Sequence, residues 1–252
     1  MGVANDRSIA WGIAETLHAH GAEMAFTYQG EAFGKRVIPL AESLGSKTIL
    51  DCDASNESDL DRVFQSIHDQ MGKIDFVVHA VAYSNKDELK GRFIDTSLDN
   101  FLNTMHISCY SFISVARRAA AMMNPGGAMI TLSYIGAQRV IPNYNVMGVA
   151  KAALESTTRY LAADLGPDHI RVNTISAGPM RTLAGSAIGS ARKTFRTAEA
   201  TAPLRRSLEL PEIGGAALYL LSDMSSGVTG ETHYVDGGFH AMGMQPHESG
   251  EE

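Results

Sequence analysis

The chain has 252 residues, 44% of them hydrophobic and 19% charged, with a formal net charge of −7. That is length enough for one large α/β domain with an ordinary core, and the negative balance argues against a general binder of nucleic acid or membrane surface, both of which are anionic. Cys52 and Cys109 form no CxxC pair, the nine histidines are scattered and no apolar run reaches ~18 residues, which argues against a disulfide scaffold, a compact metal site and a membrane span and leaves a cytoplasmic protein as the default.

Helical and strand patterns then alternate along the chain. Residues 8–20 read as a helix ended by Gly21, and EMAFTYQ (23–29) as a strand. A helix with an internal Pro39 follows over 31–45, then a strand at 47–53 and a helix over 57–72 with apolar residues at helical spacing. The continuous apolar run IDFVVHAVA (74–82) is expected of a strand buried on both faces. A long helix is expected over 97–123, a strand over 128–134, a helix from 144 through 163 and a strand over 170–178. A polar stretch of weak periodicity runs from 180 to about 205, before a short helix at 211–222 and a closing strand in THYVDGG.

This alternation predicts a single α/β domain over residues 1–244, a Rossmann-like doubly wound parallel sheet with helices on both faces. The polar acidic tail, 245–252, is expected to be mobile. In such sheets ligands bind beyond the carboxyl ends of the strands, and Gly2, Asp53, Ala80, Tyr134 and Gly178 all fall there. The strand that should present Gly2 is missing, because the chain opens on MGVANDRSIAWG. It would be central in the order 3-2-1-4-5-6, and a sheet without it would bury two unpaired edges. The expectation is that Met1 is an internal methionine, or that an upstream segment precedes it.

Gly2 to Gly12 form a Gly-x5-Ser-x-Ala-x-Gly pattern before a helix, not the GxGxxG fingerprint. The physics is the same: Gly2 permits a tight turn, Ser8 can cap the helix or donate a hydroxyl, and a helix N-terminus suits a pyrophosphate. The strand ending in Gln29 lacks both the acidic residue that holds a ribose and an adjacent arginine for a 2′-phosphate, although Lys35 and Arg36 follow; Gln29 can hydrogen-bond the ribose itself. Asp53 either accepts from an adenine amino group or caps the helix after it. Further on, Pro142 and Asn143 end one segment and an Ala-rich helix follows, with Tyr144 and Lys151 seven positions apart. Seven positions make almost two turns, so the pair shares a face, roughly 10 Å apart along the axis. That spacing suits two groups gripping different parts of one molecule.

Together these segments resemble the NADH-dependent enoyl-acyl-carrier-protein reductases of bacterial fatty-acid synthesis, a divergent branch of the short-chain dehydrogenase/reductases. The resemblance runs from GVANDRSIAWGIA through TYQ, LDCDA, LSYIGAQRVIPNYNVMGVAKAALE and RVNTISAGPMRTLA to VDGG. It implies NADH as cofactor, with Tyr144 as catalytic tyrosine, Lys151 holding the nicotinamide ribose and Tyr134 as the second active-site tyrosine. It implies cofactor contacts at Gly2, Ser8, Ile9, Gln29, Asp53, Ala54, Ala80, Leu132, Lys151 and Met180, and substrate contacts at Ala82, Tyr83, Tyr134 and Tyr144. Ala82 stands where the family often has glycine. The resemblance also implies acyl-carrier protein bearing an enoyl chain as partner, a substrate-binding loop at about 180–205 and a homotetramer. The commoner members of the superfamily, 3-oxoacyl reductases among them, use Tyr-x3-Lys plus a serine about a dozen residues before the tyrosine. Here Met147 stands four before Lys151 while Ser133 sits eleven before Tyr144, so carbonyl reduction is the alternative, and a catalytically idle dinucleotide sensor a second. Residues 181–206 carry Arg181, Arg192, Lys193, Arg196, Arg205 and Arg206 against Glu199, a local +5 in a chain of −7, which predicts a docking patch for an acidic carrier protein.

Overall fold

The computed structural model describes residues 1–182 and 191–244. Among them, strands β1 (Phe26–Tyr28), β2 (Ile49–Asp51), β3 (Ile74–His79), β4 (Met123–Ser133), β5 (Arg171–Ala177) and β6 (Thr232–Val235) alternate with helices. The helices are α1 (Ile9–Ala19), α2 (Gly30–Ser43), α3 (Glu57–Met71), α4 (Leu98–Met105), α5 (Ser111–Ala120), α6 (Asn145–Leu165), α7 (Ala191–Thr201) and α8 (Leu210–Leu221). Every pairing is parallel: β1 with β2, and β3, β4, β5 and β6 in that order. Two parallel sheets result, β1-β2 and β3-β4-β5-β6, and within each the strands end at one edge, as the βα alternation requires.

Side chains alternate across the sheet with the period of two that a strand imposes. Val77, Met129 and Val172 enter one core with Leu60, Val63, Phe112 and Leu154 of α3, α5 and α6. Phe76, Ile130 and Ile175 enter the opposite core with Ile13 and Leu17 of α1 and Ile213 and Leu220 of α8. Trp11, Ala14, Phe26, Val37 and Ala41 tie α1 and α2 to β1. Both faces are covered, which is why the β3 segment reads as a continuous apolar run rather than as an alternation.

On the free edge of β3, where the sequence predicts the central strand, Met1 makes the pairing. Its amine donates to the Val78 carbonyl at 2.9 Å, and its carbonyl accepts from the Ala80 amide at 3.2 Å. Gly2 follows with φ +99°, and a Cβ there would sit 2.2 Å from the Ala80 carbonyl oxygen. Both facts demand glycine.

The structure departs from the expected elements in three places. The helix expected over 97–123 is broken by a π turn, His106–Tyr110, and ends at Ala120. Strand β4 starts five residues earlier than expected, at Met123, with a register shift between the Ile74 and Phe76 pairings; Gly126, at φ +89°, lies in that irregular stretch. The stretch from 180 to 205 contains helix α7, because ARKTFRTAEAT is rich in helix formers even though few of its residues are apolar. Part of the expected substrate-binding loop, 183–190, and the tail, 245–252, lie outside the described residues.

Candidate active site

A cavity of about 680 Å³ opens at the carboxyl edge of the sheet. Its wall includes Gly2, Ser8, Ile9, Gln29, Ala54, Ala80, Ala82, Tyr83, Leu132, Tyr134, Tyr144, Lys151 and Met180, residues drawn from across the chain. Of the sequence-predicted site residues, Asp53 is not on the wall. Its carboxylate accepts from the Ser55 amide at 2.8 Å and the Ser55 hydroxyl at 2.7 Å, and from Gln29. Nor is it the cap of α3, which is Asn56, accepting from Ser58 and Asp59. Burial opposes ionisation of Asp53, but these hydrogen bonds outweigh it and hold its pKa below the usual carboxylate range.

At one end of the cavity stands the N-terminus of α1. Ser8 occupies the N-cap position but makes no side-chain cap. Its hydroxyl instead accepts from the amides of Ala4 and Asn5, each at 3.0 Å, and so folds the preceding loop. The amides of Ile9 and Ala10 therefore have no helical carbonyl to bind, and both residues lie on the cavity wall. No acidic side chain stands in the first turn of α1. An open helix N-terminus without a competing carboxylate suits a pyrophosphate, so the residues present fit the dinucleotide that the sequence pattern implies.

At the other end Tyr144 is the N-cap residue of α6. Its neighbours Asn143 and Asn145 have φ of +62° and +37°, left-handed conformations that non-glycine residues adopt at a cost. The backbone is thus bent on both sides of the tyrosine. Gly136 makes room for its ring, since a Cβ there would lie 2.5 Å from Tyr144 Cδ1. Tyr134 packs edge-on against Tyr144, with centroids 5.2 Å apart at 76°. Burial, then the neighbouring Tyr134 and the Glu155 carboxylate, push the Tyr144 pKa well above that of a free phenol. Burial, then Asp236, push Tyr134 up to about 12. The Tyr134 hydroxyl is buried and has no hydrogen-bond partner among the described residues.

Lys151 lies two turns along α6, buried, donating to the Leu132 carbonyl at 2.7 Å. Burial draws its pKa down to about 8, against the opposing pull of Cys109 and Glu155. Met147, at the position that a Tyr-x3-Lys element would give to the tyrosine, is buried and packs beside Tyr144.

Sequence reasoning gave no role to Glu155, Ser108 or His79. Glu155, four residues past Lys151, is buried and accepts the Ser133 hydroxyl at 2.6 Å. The one proton of Ser133 is therefore committed to Glu155 and is not offered to a substrate carbonyl. Ser108, in the π turn, accepts from the Tyr83 amide and donates to the Tyr83 carbonyl, both at 2.9 Å. His79 is fully buried between Thr131 Oγ1 at 3.1 Å and Ser111 Oγ at 2.9 Å, and burial lowers its pKa to about 3. Ser111 donates its own proton to the Ile107 carbonyl at 2.6 Å, and Thr131 donates to the His79 carbonyl at 3.1 Å. The signals for Glu155 were its i+4 offset from Lys151 and the offset of its partner Ser133 from Tyr144; nothing local marks Ser108.

Comparison with known proteins adds to this geometry. The family described as enoyl-(acyl carrier protein) reductase matches residues 2–240. Enoyl-[acyl-carrier-protein] reductase [NADH] 1 of Rhizobium meliloti (strain 1021) is 58% identical over 97% of this chain and 90% of its own. The crystal structure of FabI from Candidatus Liberibacter asiaticus superposes with a TM-score of 0.95 at 52% identity, covering 98% of this chain and 95% of that one. The enoyl-(acyl-carrier-protein) reductase of Anaplasma phagocytophilum, solved in complex with NAD, gives 0.92 at 54% identity, covering 97% and 92%.

Proposed function

The chain belongs to the enoyl-acyl-carrier-protein reductase family, and from that premise we infer which of its own residues carry the reaction. The enzyme is an NADH-dependent oxidoreductase that reduces the trans-2 double bond of an enoyl thioester, the final reductive step of fatty-acid elongation. NADH, when bound, supplies the hydride that adds to the β-carbon. Negative charge then gathers on the thioester oxygen as an enolate. Tyr144, kept protonated by burial, donates its hydroxyl to that oxygen, and a donor placed so is worth about 100- to 1,000-fold in rate. Lys151, charged below about pH 8, holds the ribose hydroxyls of the cofactor. The amides of α1 and the glycine turn take the pyrophosphate, and Gln29 takes the adenosine ribose. Tyr134 shapes the acyl end and offers its free hydroxyl there. Ala82 and Tyr83 line the same end.

The observation that carries this assignment is the pair Tyr144 and Lys151, buried seven positions apart on one cavity wall. Met147 between them and the commitment of Ser133 to Glu155 stand against carbonyl reduction. The test is loss of NADH absorbance with a crotonyl or an acetoacetyl thioester. Turnover is expected with the first alone, and Tyr144→Phe should lower kcat about 100-fold while NADH affinity holds. Preference for the acetoacetyl thioester would establish the carbonyl reductase instead, and NADH binding without turnover the idle sensor.

Acyl-carrier protein is the carrier of the substrate in this reading. Arg181, Lys193 and Arg196 are exposed and adjoin the cavity-lining residues Thr182, Thr194 and Phe195 in sequence, whereas Arg205 donates to the Ala200 carbonyl and Arg206 is drawn to Glu212 at 2.7 Å. Lys193→Glu is expected to raise the KM for carrier-bound substrate at low salt and not that for a small thioester. The molecule works as a cytoplasmic homotetramer. Supporting the assembly are Leu98, Leu102, Tyr110, Ile113, Val149 and Tyr160, exposed apolar side chains carried by α4, α5, α6 and the π turn. No helix among the described residues is long and apolar enough to cross a membrane.

A further inference from the structure

Beyond Gln29, the nucleotide end of the cavity carries charges that the reaction does not use. Gly30, the first residue of α2, sits at φ +71° and donates its amide to Asp51 Oδ1 at 2.7 Å, from the end of β1 to the end of β2. That amide is one of the free N-terminal donors of α2, at the positive end of the helix, where an anion is favoured. The cations nearby are each engaged. Lys35 is paired with Glu31 at 2.7 Å. Arg36 lies 5.7 Å over the Phe33 ring. Arg62 donates to the Asp51 carbonyl at 2.7 Å and pairs with Asp59 at 3.0 Å.

In dinucleotide folds the strand end after the first helix meets the adenosine ribose: an acidic residue there takes the 2′-hydroxyl, and an arginine accommodates a 2′-phosphate. Strand β1 runs out into Tyr28 and Gln29, neither of which is charged at neutral pH, and Gln29 lines the cavity and hydrogen-bonds to Asp53. Discrimination must therefore come from elsewhere. We propose that Asp51 sets the preference for NADH over NADPH, acting from the neighbouring strand: its carboxylate fills the Gly30 amide that a 2′-phosphate would use and adds a negative charge beside it, while Glu31 withholds Lys35. The inference rests on the reading of Gln29 as the ribose end of the cofactor site.

The experiment measures dissociation constants of NADH, NADPH, 5′-AMP and 2′,5′-ADP by calorimetry for the whole protein and for Asp51→Asn and Asp51→Ala. Asparagine keeps an acceptor for the Gly30 amide and removes only the charge; alanine frees the amide as well. The unaltered protein is expected to bind 5′-AMP more tightly than 2′,5′-ADP. Asp51→Asn is expected to narrow the gap between NADPH and NADH about tenfold with NADH binding retained, Asp51→Ala at least as far, and added salt to narrow it in the unaltered protein. The proposal is overturned by a gap that stays within twofold in both variants while NADH still binds. Equal weakening of both cofactors also overturns it, because Asp51 would then only hold the turn. Failure of the unaltered protein to bind NADH would instead overturn the reading of the cavity as a cofactor site, and this inference with it.

Discussion

Tyr144 and Lys151 are pushed by the same burial in opposite senses, because desolvation always penalises the charged form. The phenol keeps its proton far above neutral pH, whereas the ammonium loses its proton from about pH 8. The sign is direct: Lys151 is charged below that value and neutral above it, so NADH affinity should fall as pH rises through about 8. Fluorescence titration of NADH between pH 6.5 and 9.5 checks this. Lys151→Arg should flatten the profile at a lower absolute affinity, since a guanidinium stays charged throughout; a flat profile in the unaltered protein would remove Lys151 from the cofactor's ribose. The Tyr144–Lys151 spacing was legible in the sequence because a helix converts residue offset directly into position. The Ser133–Glu155 bond was not, because nothing in either residue says which way a hydroxyl across 22 positions will turn its proton. Asp53 stands after its strand as expected, with its carboxylate accepting from Ser55 and Gln29.

Between residues and whole fold lie the irregular elements, and these were the least legible. The π turn, His106–Tyr110, has the same apolar content as the helices around it, so no period reveals it. Its effect is to aim Ser108 at both backbone groups of Tyr83, on the cavity wall. Ser108→Ala leaves those two groups without their partner, which costs about 1–3 kcal/mol each for a buried group and less for one that reaches water. Steady-state kinetics should show the KM for enoyl thioester raised several-fold with NADH affinity unchanged, beside a lower melting temperature. If KM holds and only the melting temperature falls, the turn is structural and does not shape the acyl end. Helix α7 escaped notice for the opposite reason: its composition is helical but its apolar side is thin. The strands and the helices α1, α3, α6 and α8 were legible to within a few residues, because each buries a periodic apolar face against the sheet.

For the whole molecule, the exposed apolar side chains of α4 to α6 are the feature that a lone domain does not explain. Val149 and Tyr160 are eleven positions apart on α6, three turns, and so share a side. Tyr160 is 73% exposed, so Tyr160→Glu should leave the fold intact by circular dichroism while shifting the proposed tetramer to smaller species in size-exclusion chromatography with light scattering. An unchanged tetramer would move the interface to another face. The parallel sheet has a consequence of a different kind, in time. Each strand pairs with a partner far along the chain, from 23 residues away (Phe26 with Ile49) to 58 (Ile175 with His233). The entropy of closing those loops has to be met before any pair contributes, so refolding belongs on the millisecond-to-second scale or slower rather than the microsecond scale of local helix pairs. During that interval unpaired strand edges are open to other chains. Trp11, the chain's one tryptophan, is buried where α1, α2 and β1 meet, and its fluorescence times the closing of that corner.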